Sequence, residues 1–187
     1  KHSLKPDNYT YSLGLGEETL KTLIVIALTI LLTAAPALPE TIKVLILDKD
    51  FNHIPEEDEK LVRLDRVNGD LIMGHVSYSG DIEVWKGKSG LYLINEVPLE
   101  AYVEGVVKAE TGKDWAMEAL KAQAVVVRTY AVFQKLKNSD RKFHVTSTVL
   151  HQLYKGLNSD TVVSSAVRQT KGEILTYNGS PIEAFYH

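Results

Sequence analysis

One glutamate, Glu110, stands where an apolar segment ends and before a second apolar segment begins. If both segments are buried helices, a carboxyl group held at their junction would be partly desolvated. Such a group is suited to general acid–base chemistry, because it can give a proton to a substrate and later take one back. A glutamate near a helix end is also commonly an ordinary surface residue. The spacing by itself leaves both interpretations open.

Two basic residues, Lys121 and Arg128, lie seven residues apart in the segment after Glu110. Seven residues make about two helical turns, so both would lie on one face of a helix. Glu118, three residues before Lys121, is placed to pair with it. One interpretation is a structural network of ion pairs. The other is a basic wall beside Glu110 that binds a hydroxyl-rich or anionic ligand. The same two interpretations apply to the hydrogen-bonding side chains nearby, which are Gln123, Thr129 and Tyr130.

The elements that must position these residues begin with a β-rich region. Short apolar runs separated by Gly, Asn and Asp predict antiparallel strands. The runs are 42–47, 61–64, 71–73, 76–78, 82–85 and 91–94. We therefore assign 38–97 as the β-rich N-terminal part of the domain.

From Pro98 onwards the apolar spacing becomes helical. The spacing predicts helices over 98–109, over 115–136 with Asp114 as the N-cap, and over 160–169. Asn178-Gly179 between apolar runs predicts a hairpin of 173–177 with 182–186. The expected fold class is α+β, with an antiparallel β-rich N-terminal half, central helices and a C-terminal β-hairpin.

Composition excludes several classes of site. A chain of 187 residues with 44% hydrophobic residues is large enough for one domain with a substantial core. The formal net charge of −3 gives no electrostatic case for a nucleic acid partner. Because the sequence contains no cysteine, disulfides, cysteine-ligated zinc and a thiol nucleophile are excluded.

The N-terminal segment predicts export. The apolar run 23–33 follows Lys21 and precedes small residues at 35–37, a pattern typical of a secretory signal peptide. The run is shorter than the roughly 20 residues that span a bilayer. We assign 20–37 as a signal peptide and expect a protein of the cell envelope or the extracellular space, with an uncleaved N-terminal anchor as the alternative. The polar residues 1–19 are expected to be a non-native upstream extension, with translation starting at Leu20.

Three segments of the C-terminal half resemble the stage II sporulation protein D family in order and spacing. They are 97–110 together with 118–130, then 148–156, and then 166–172. The resemblance implies that Glu110 is the general acid and base, and that Lys121 and Arg128 help to form the substrate groove. The further groove residues that we expect are Gln123, Tyr130, Gln152 and Tyr154. The implied catalytic core is 98–187, and we expect it to be truncated, because relatives continue into a Ser- and Gly-rich segment.

The resemblance implies a peptidoglycan lytic transglycosylase acting on glycan strands stripped of their stem peptides. Such an enzyme cleaves the bond between N-acetylmuramic acid and N-acetylglucosamine. One carboxyl group is enough, because the substrate's own 6-hydroxyl closes a 1,6-anhydro ring, whereas most glycosidases use two carboxyl groups. Similar domains in amidase enhancers imply an alternative, a wall-binding protein that stimulates an N-acetylmuramoyl-L-alanine amidase without cutting glycan. A plain wall-associated structural domain is a third interpretation.

No cofactor is expected. Some relatives carry cysteine near the segment 148–156, tied to a bound metal. The absence of cysteine here argues against zinc, although the region retains three histidines, His144, His151 and His187. The expected partners are peptidoglycan glycan strands and, under the alternative interpretation, an amidase.

Overall fold

The computed structural model describes residues 16, 18–19, 21–22, 38, 40–47, 52–112, 114–157 and 160–186. The chain divides into two units, Lys1–Ala37 and Leu38–His187. In the first unit, residues 18–19 and 21–22 are helical. The apolar run of the predicted signal peptide and most of the predicted extension 1–19 lie outside the described residues. Within the described ranges, no helix is both long enough and apolar enough to cross a bilayer.

The second unit mixes strands and helices. In chain order its described strands are β1 (Thr41–Ile46), β2 (Val62–Val67), β3 (Leu71–Met73), β4 (Val76–Tyr78), β5 (Asp81–Lys86), β6 (Leu91–Pro98), β7 (Val145–Thr146), β8 (Thr176–Tyr177) and β9 (Ser180–Pro181). Its described helices are α1 (Leu99–Glu110), α2 (Met117–Lys137) and α3 (Thr161–Gln169). The predicted α+β class is confirmed, with antiparallel strands first, helices in the middle and a hairpin near the C-terminus.

Five strands form the main sheet, in the order β2-β5-β6-β1-β7. Strands β1, β5 and β6 pair antiparallel, with Ile42 opposite Val97. Strand β7 instead runs parallel to β1, with Val44 opposite Val145. The sequence did not predict this parallel pair. It arises because α1 and α2 lie between β6 and β7 in the chain, and a helical crossover of this kind is what a parallel neighbour requires.

Helix α1 packs through one apolar face. The residues of this face, all with 0% exposure, are Tyr102, Val103, Val106 and Val107. Their spacing of three and four residues places them on one side of a helix. Pro98 precedes the helix, where its missing N–H leaves no hydrogen bond unmade. The helix ends at Glu110, one residue later than predicted, because Thr111 is extended with φ −91° and ψ 142°.

Helix α2 begins later than predicted, and its N-cap is a different residue. The structure places Ala116 at the N-cap, with no side-chain hydrogen bond to the first turn. Asp114, the predicted N-cap, instead has φ +68°, in the left-handed region. Asp is among the few residues other than Gly that enter this region with some frequency, and it does so in turns. Asp114 therefore turns the chain between α1 and α2 and does not cap α2.

Helix α3 and the hairpin follow local signals closely. Asp160 caps α3, since its Oδ1 accepts the N–H groups of Val162 at 3.0 Å and Val163 at 3.3 Å. Asn178 and Gly179 have φ of 50° and 77°, as a tight hairpin turn requires. The two strands are shorter than predicted. One reason is that the Leu175 N–H donates to the Thr129 hydroxyl of α2, at 2.9 Å, and not to a strand partner.

Candidate functional site

Glu110 is the last residue of α1, and its side chain is half-buried. Its Oε1 accepts the backbone N–H of Leu153 at 2.9 Å. Its Oε2 accepts the Gln123 amide of α2 at 3.4 Å, a long and therefore weak hydrogen bond. The carboxylate is thus held between the end of one helix, the face of another and the loop that follows β7. It does not point freely into solvent.

The third hydrogen-bond partner of the Glu110 carboxylate is the hydroxyl of Tyr186. No sequence pattern had indicated Tyr186 as a site residue. Tyr186 hydrogen-bonds Glu110 through its side chain. Burial, and then this bond to Glu110, raise the pKa of Tyr186 far above its usual value. The phenol therefore stays protonated and donates to the carboxylate. Its position near the chain end, beyond the hairpin, gave no local signal of this role.

Gln152 contacts Tyr186 on the side away from solvent and is itself fully buried. Its Nε2 donates to the Tyr186 hydroxyl at 3.2 Å and to the Val127 carbonyl at 3.3 Å. Its Oε1 accepts the Tyr102 hydroxyl of α1 at 3.0 Å. The hydrogen bonds run in one direction, from Tyr102 to Gln152 to Tyr186 to Glu110. Gln152 thus orients Tyr186 but does not reach the surface, which differs from its predicted place in the groove.

Lys121 pairs with Glu118, as the spacing predicted, with Nζ 2.8 Å from Oε1. The side chain of Lys121 is 24% exposed and that of Glu118 is 83% exposed. Lys121 precedes Gln123 by two residues, so on a helix the two side chains diverge by about 200°. In the described part of the chain the Lys121 ammonium therefore pairs with Glu118, and not with Glu110.

Arg128 does not lie beside Glu110, and this expectation was wrong. Its side chain has 0% exposure and forms a two-point ion pair with Glu100, at 2.9 Å from Nε to Oε1 and 2.7 Å from Nη2 to Oε2. Glu100 lies in the first turn of α1, ten residues or about 15 Å along the helix from Glu110. The guanidinium also donates to the carbonyls of Glu173 and Val167, at 3.0 Å and 3.4 Å. Arg128 is therefore a buried link between three parts of the fold.

The two predicted tyrosines are core residues. Tyr130 is 5% exposed, with its ring 6.0 Å from that of Phe185 and 6.4 Å from that of His151. Burial raises the pKa of Tyr130. Tyr154 is 2% exposed and donates its hydroxyl to Asn95 Oδ1 at 3.1 Å. Neither ring lies on an open groove, so both support the site from within.

The histidines considered as metal ligands are engaged elsewhere. His144 Nδ1 accepts the Lys43 N–H at 3.0 Å, and His151 Nδ1 lies 3.0 Å from the Thr146 hydroxyl. His187 is outside the described residues. Among the residues that the structure does describe, no group of three His, Asp or Glu side chains is arranged to hold a metal ion.

Comparison with known proteins places this site in a family. Residues 87–177 match the family described as "Stage II sporulation protein". The chain is 38% identical over 113 residues to an uncharacterized protein of Brachyspira hyodysenteriae, covering 59% of this chain and 31% of that one. It is 38% identical over 109 residues to the stage II sporulation protein D of Bacillus subtilis, covering 50% and 32%.

A third relative is the amidase enhancer of Bacillus subtilis. The chain is 40% identical to it over 84 residues, which cover 45% of this chain and 11% of the relative. The chain thus spans a third or less of the length of these curated relatives. All three segments of the sequence resemblance lie within 87–177. The segment 87–177 of this chain thus matches the stage II sporulation protein D and amidase enhancer family.

Proposed function

We propose that this chain is a lytic transglycosylase that cleaves peptidoglycan glycan strands, with Glu110 as its acid and base. The observation that supports this proposal most strongly is the half-buried Glu110 carboxylate, which accepts hydrogen bonds from Leu153, Gln123 and Tyr186. Glu110 also lies within the segment that matches the family. A substrate of this kind lies outside the cytoplasmic membrane, so the proposal includes export to the cell envelope or beyond.

The proposed reaction uses one carboxyl group twice. Protonated Glu110 gives its proton to the bridging glycosidic oxygen as the bond from that oxygen to C1 of N-acetylmuramic acid breaks. The sugar is left with an oxocarbenium-like centre at C1. The Glu110 carboxylate then takes the proton of the 6-hydroxyl on the same sugar, while O6 bonds to C1. The products are a 1,6-anhydro end, a free hydroxyl on the leaving sugar and a protonated Glu110 ready for the next cycle.

The hydrogen bonds around Glu110 fit this use. After Glu110 has given up its proton, the Leu153 N–H and the Tyr186 hydroxyl donate to the carboxylate that forms. Donors fixed in advance by the fold stabilise a developing charge without having to reorganise. The Gln123 amide adds a longer and weaker contact to Oε2, at 3.4 Å.

A single-carboxylate reaction also agrees with the surroundings. Within the described residues, no second carboxylate shares the hydrogen-bond partners of Glu110. The nearby acid Glu118 is committed to Lys121. An ordinary glycosidase would need a second carboxyl group on the other side of the scissile bond.

The second candidate function is binding without cleavage. The observation that favours it is the similarity to the amidase enhancer, which is 40% identical over the aligned 84 residues. Under this alternative, the surface around Glu110 holds glycan, and the chain stimulates an N-acetylmuramoyl-L-alanine amidase. The carboxylate would then contribute to binding, but not to a chemical step.

The test compares the wild-type chain with Glu110→Gln on purified glycan stripped of stem peptides. Mass spectrometry of the soluble products should detect 1,6-anhydro ends with the wild type, and at least a hundredfold less with Glu110→Gln. Glu118→Gln, a nearby exposed glutamate, serves as the matched control and should retain activity. Equal product from Glu110→Gln and wild type would refute the catalytic role. Wild-type retention on the glycan without products, together with faster turnover by an added amidase, would favour the second candidate.

A further inference from the structure

A cavity of about 400 Å³ lies beside the turn between α1 and α2. Its lining includes Lys108, Thr111, Gly112, Asp114, Trp115 and Asp160. Thr111 and Gly112 follow Glu110 directly in the chain, so the cavity adjoins the end of the helix that carries the proposed catalytic carboxylate. A volume of this size is within the range of small-ligand pockets.

Two side chains that line this cavity, Trp115 and Asp114, are available to contact a ligand. Trp115 is 44% exposed, although an indole ring gains considerably from burial. Within the described residues, neither the Trp115 indole N–H nor the Asp114 carboxylate forms a hydrogen bond or an ion pair. Two other lining residues are already engaged, because Asp160 both caps α3 and pairs with Lys108.

The backbone conformation of Asp114 is uncommon for a residue other than glycine. Asp114 has φ +68°, a conformation that L-residues seldom adopt. The indole lies against Gly112, where an added Cβ would be 3.5 Å from the Trp115 Nε1. The turn thus brings the aromatic ring and the carboxylate into the lining of one cavity. Strained backbone conformations of this kind are concentrated at binding sites.

We propose that this cavity is a subsite for an N-acetylated pyranose ring of the same glycan strand. The exposed face of Trp115 would stack on the C–H face of the sugar ring, and Asp114 would accept hydrogen bonds from its hydroxyl groups. The subsite rests on the proposed function, because it gives the polymer a second point of attachment close to Glu110. Its role is binding, and no chemical step occurs there.

The test uses Glu110→Gln protein, so that the ligand is not consumed, and tetra-N-acetylchitotetraose as the probe. The sequence contains two tryptophans. In 5-fluorotryptophan-labelled protein they give two fluorine NMR signals, and the Trp115 signal is assigned by its loss in Trp115→Phe. Adding the tetrasaccharide should shift the Trp115 signal and leave that of Trp85, whose indole N–H is bound to Glu83 at 3.0 Å, unchanged. An unmoved Trp115 signal, or no binding at millimolar sugar, overturns the proposal.

The affinity of variants gives the second readout. Trp115→Ala should weaken binding of the tetrasaccharide at least fivefold, whereas Tyr177→Ala, which removes an aromatic ring that is 73% exposed on the hairpin, should change it less than twofold. A loss of less than fivefold in Trp115→Ala overturns the subsite. If Trp115→Ala does not fold, as judged by its thermal unfolding, the fluorine shift in the parent protein decides. A shifted Trp115 signal in a chain that never releases anhydro products would support the subsite and refute the transglycosylase.

Discussion

Glu100 and Arg128 form a two-point ion pair, with contacts of 2.9 Å and 2.7 Å, in which the guanidinium is completely buried. The pair joins the first turn of α1 to the middle of α2. Through the Val167 carbonyl it also reaches the last turn of α3. All three helices of the described second unit therefore meet at one charged group.

Removing the carboxylate of this pair should destabilise the fold strongly. Glu100→Ala leaves the Arg128 charge buried without its counter-ion, which typically costs about 3–5 kcal/mol. Glu118→Ala is the matched control, because it removes an 83% exposed carboxylate from its pair with Lys121 and should cost less than about 1 kcal/mol. Chemical denaturation gives both free energies of unfolding. Similar losses in the two variants would contradict a structural role for the buried pair.

Removing the Tyr186 hydroxyl should slow the proposed reaction without unfolding the protein. Tyr186→Phe deletes one donor to the Glu110 carboxylate, and a hydrogen bond to a charged group contributes about 1.5–3 kcal/mol, so kcat should fall roughly 10- to 100-fold. KM should change little, because the phenol contacts Glu110 and Gln152. Steady-state kinetics of anhydro-sugar release provide the measurement. Tyr177→Phe, on the exposed hairpin, should match the wild type, and an unaltered kcat in Tyr186→Phe would exclude a positioning role.

His144 should make stability depend on pH below neutrality. Burial, followed by the charges of Lys135 and Lys43, lowers the pKa of His144 from 6.5 to about 4. Between these two values the unfolded chain binds a proton that the folded chain does not, so folding weakens as the pH falls from 6.5 towards 4. The loss attributable to this residue should approach about 3 kcal/mol.

Other groups titrate in the same range, so the effect of His144 is best isolated by difference. His144→Asn keeps an oxygen that can accept the Lys43 N–H but has no titrating proton. Denaturation at pH 7, 5 and 4 should show a smaller fall in the free energy of unfolding for His144→Asn than for the wild type. Parallel pH profiles for the two proteins would mean that His144 is accessible to protons in the folded state.

Adding a methyl group at Gly105 should disturb the packing behind the site. A Cβ there would lie 2.6 Å from the Gly156 carbonyl oxygen and 2.7 Å from the ring of Tyr154. Overpacking of this kind destabilises a fold by about 1–3 kcal/mol. This cost exceeds the stabilisation that Ala gives relative to Gly inside a helix. Thermal unfolding should therefore show a lower midpoint for Gly105→Ala. Gly112→Ala, whose Cβ would meet Trp115 and no other described side chain, at 3.5 Å, should change the midpoint far less.

Features set by neighbouring residues could be read directly from the sequence. The apolar face of α1, the Asp160 cap, the Asn178-Gly179 turn and the Glu118–Lys121 pair all depend on residues within a few positions of each other. The place of Glu110 between two apolar segments is also a local property, which made it a candidate, whereas its expected role came from the resemblance to the family. Asp114 shows where local chemistry is ambiguous, because Asp favours both helix caps and left-handed turns.

Only the tertiary structure decided which side chains surround Glu110. Leu153 lies 43 residues away in the chain, and its contribution is a backbone N–H, which no side-chain pattern can indicate. The spacing of Arg128 and Lys121 predicts one helical face for both. In the folded chain, however, Arg128 is buried in the core against Glu100, whereas Lys121 lies near solvent. Hydrophobic periodicity predicts which face of a helix is buried, but it does not predict which other element that face packs against. The sequence by itself thus determined most of the elements and made Glu110 a candidate, and the packing of α1, α2 and the late loops determined the partners of its carboxyl group.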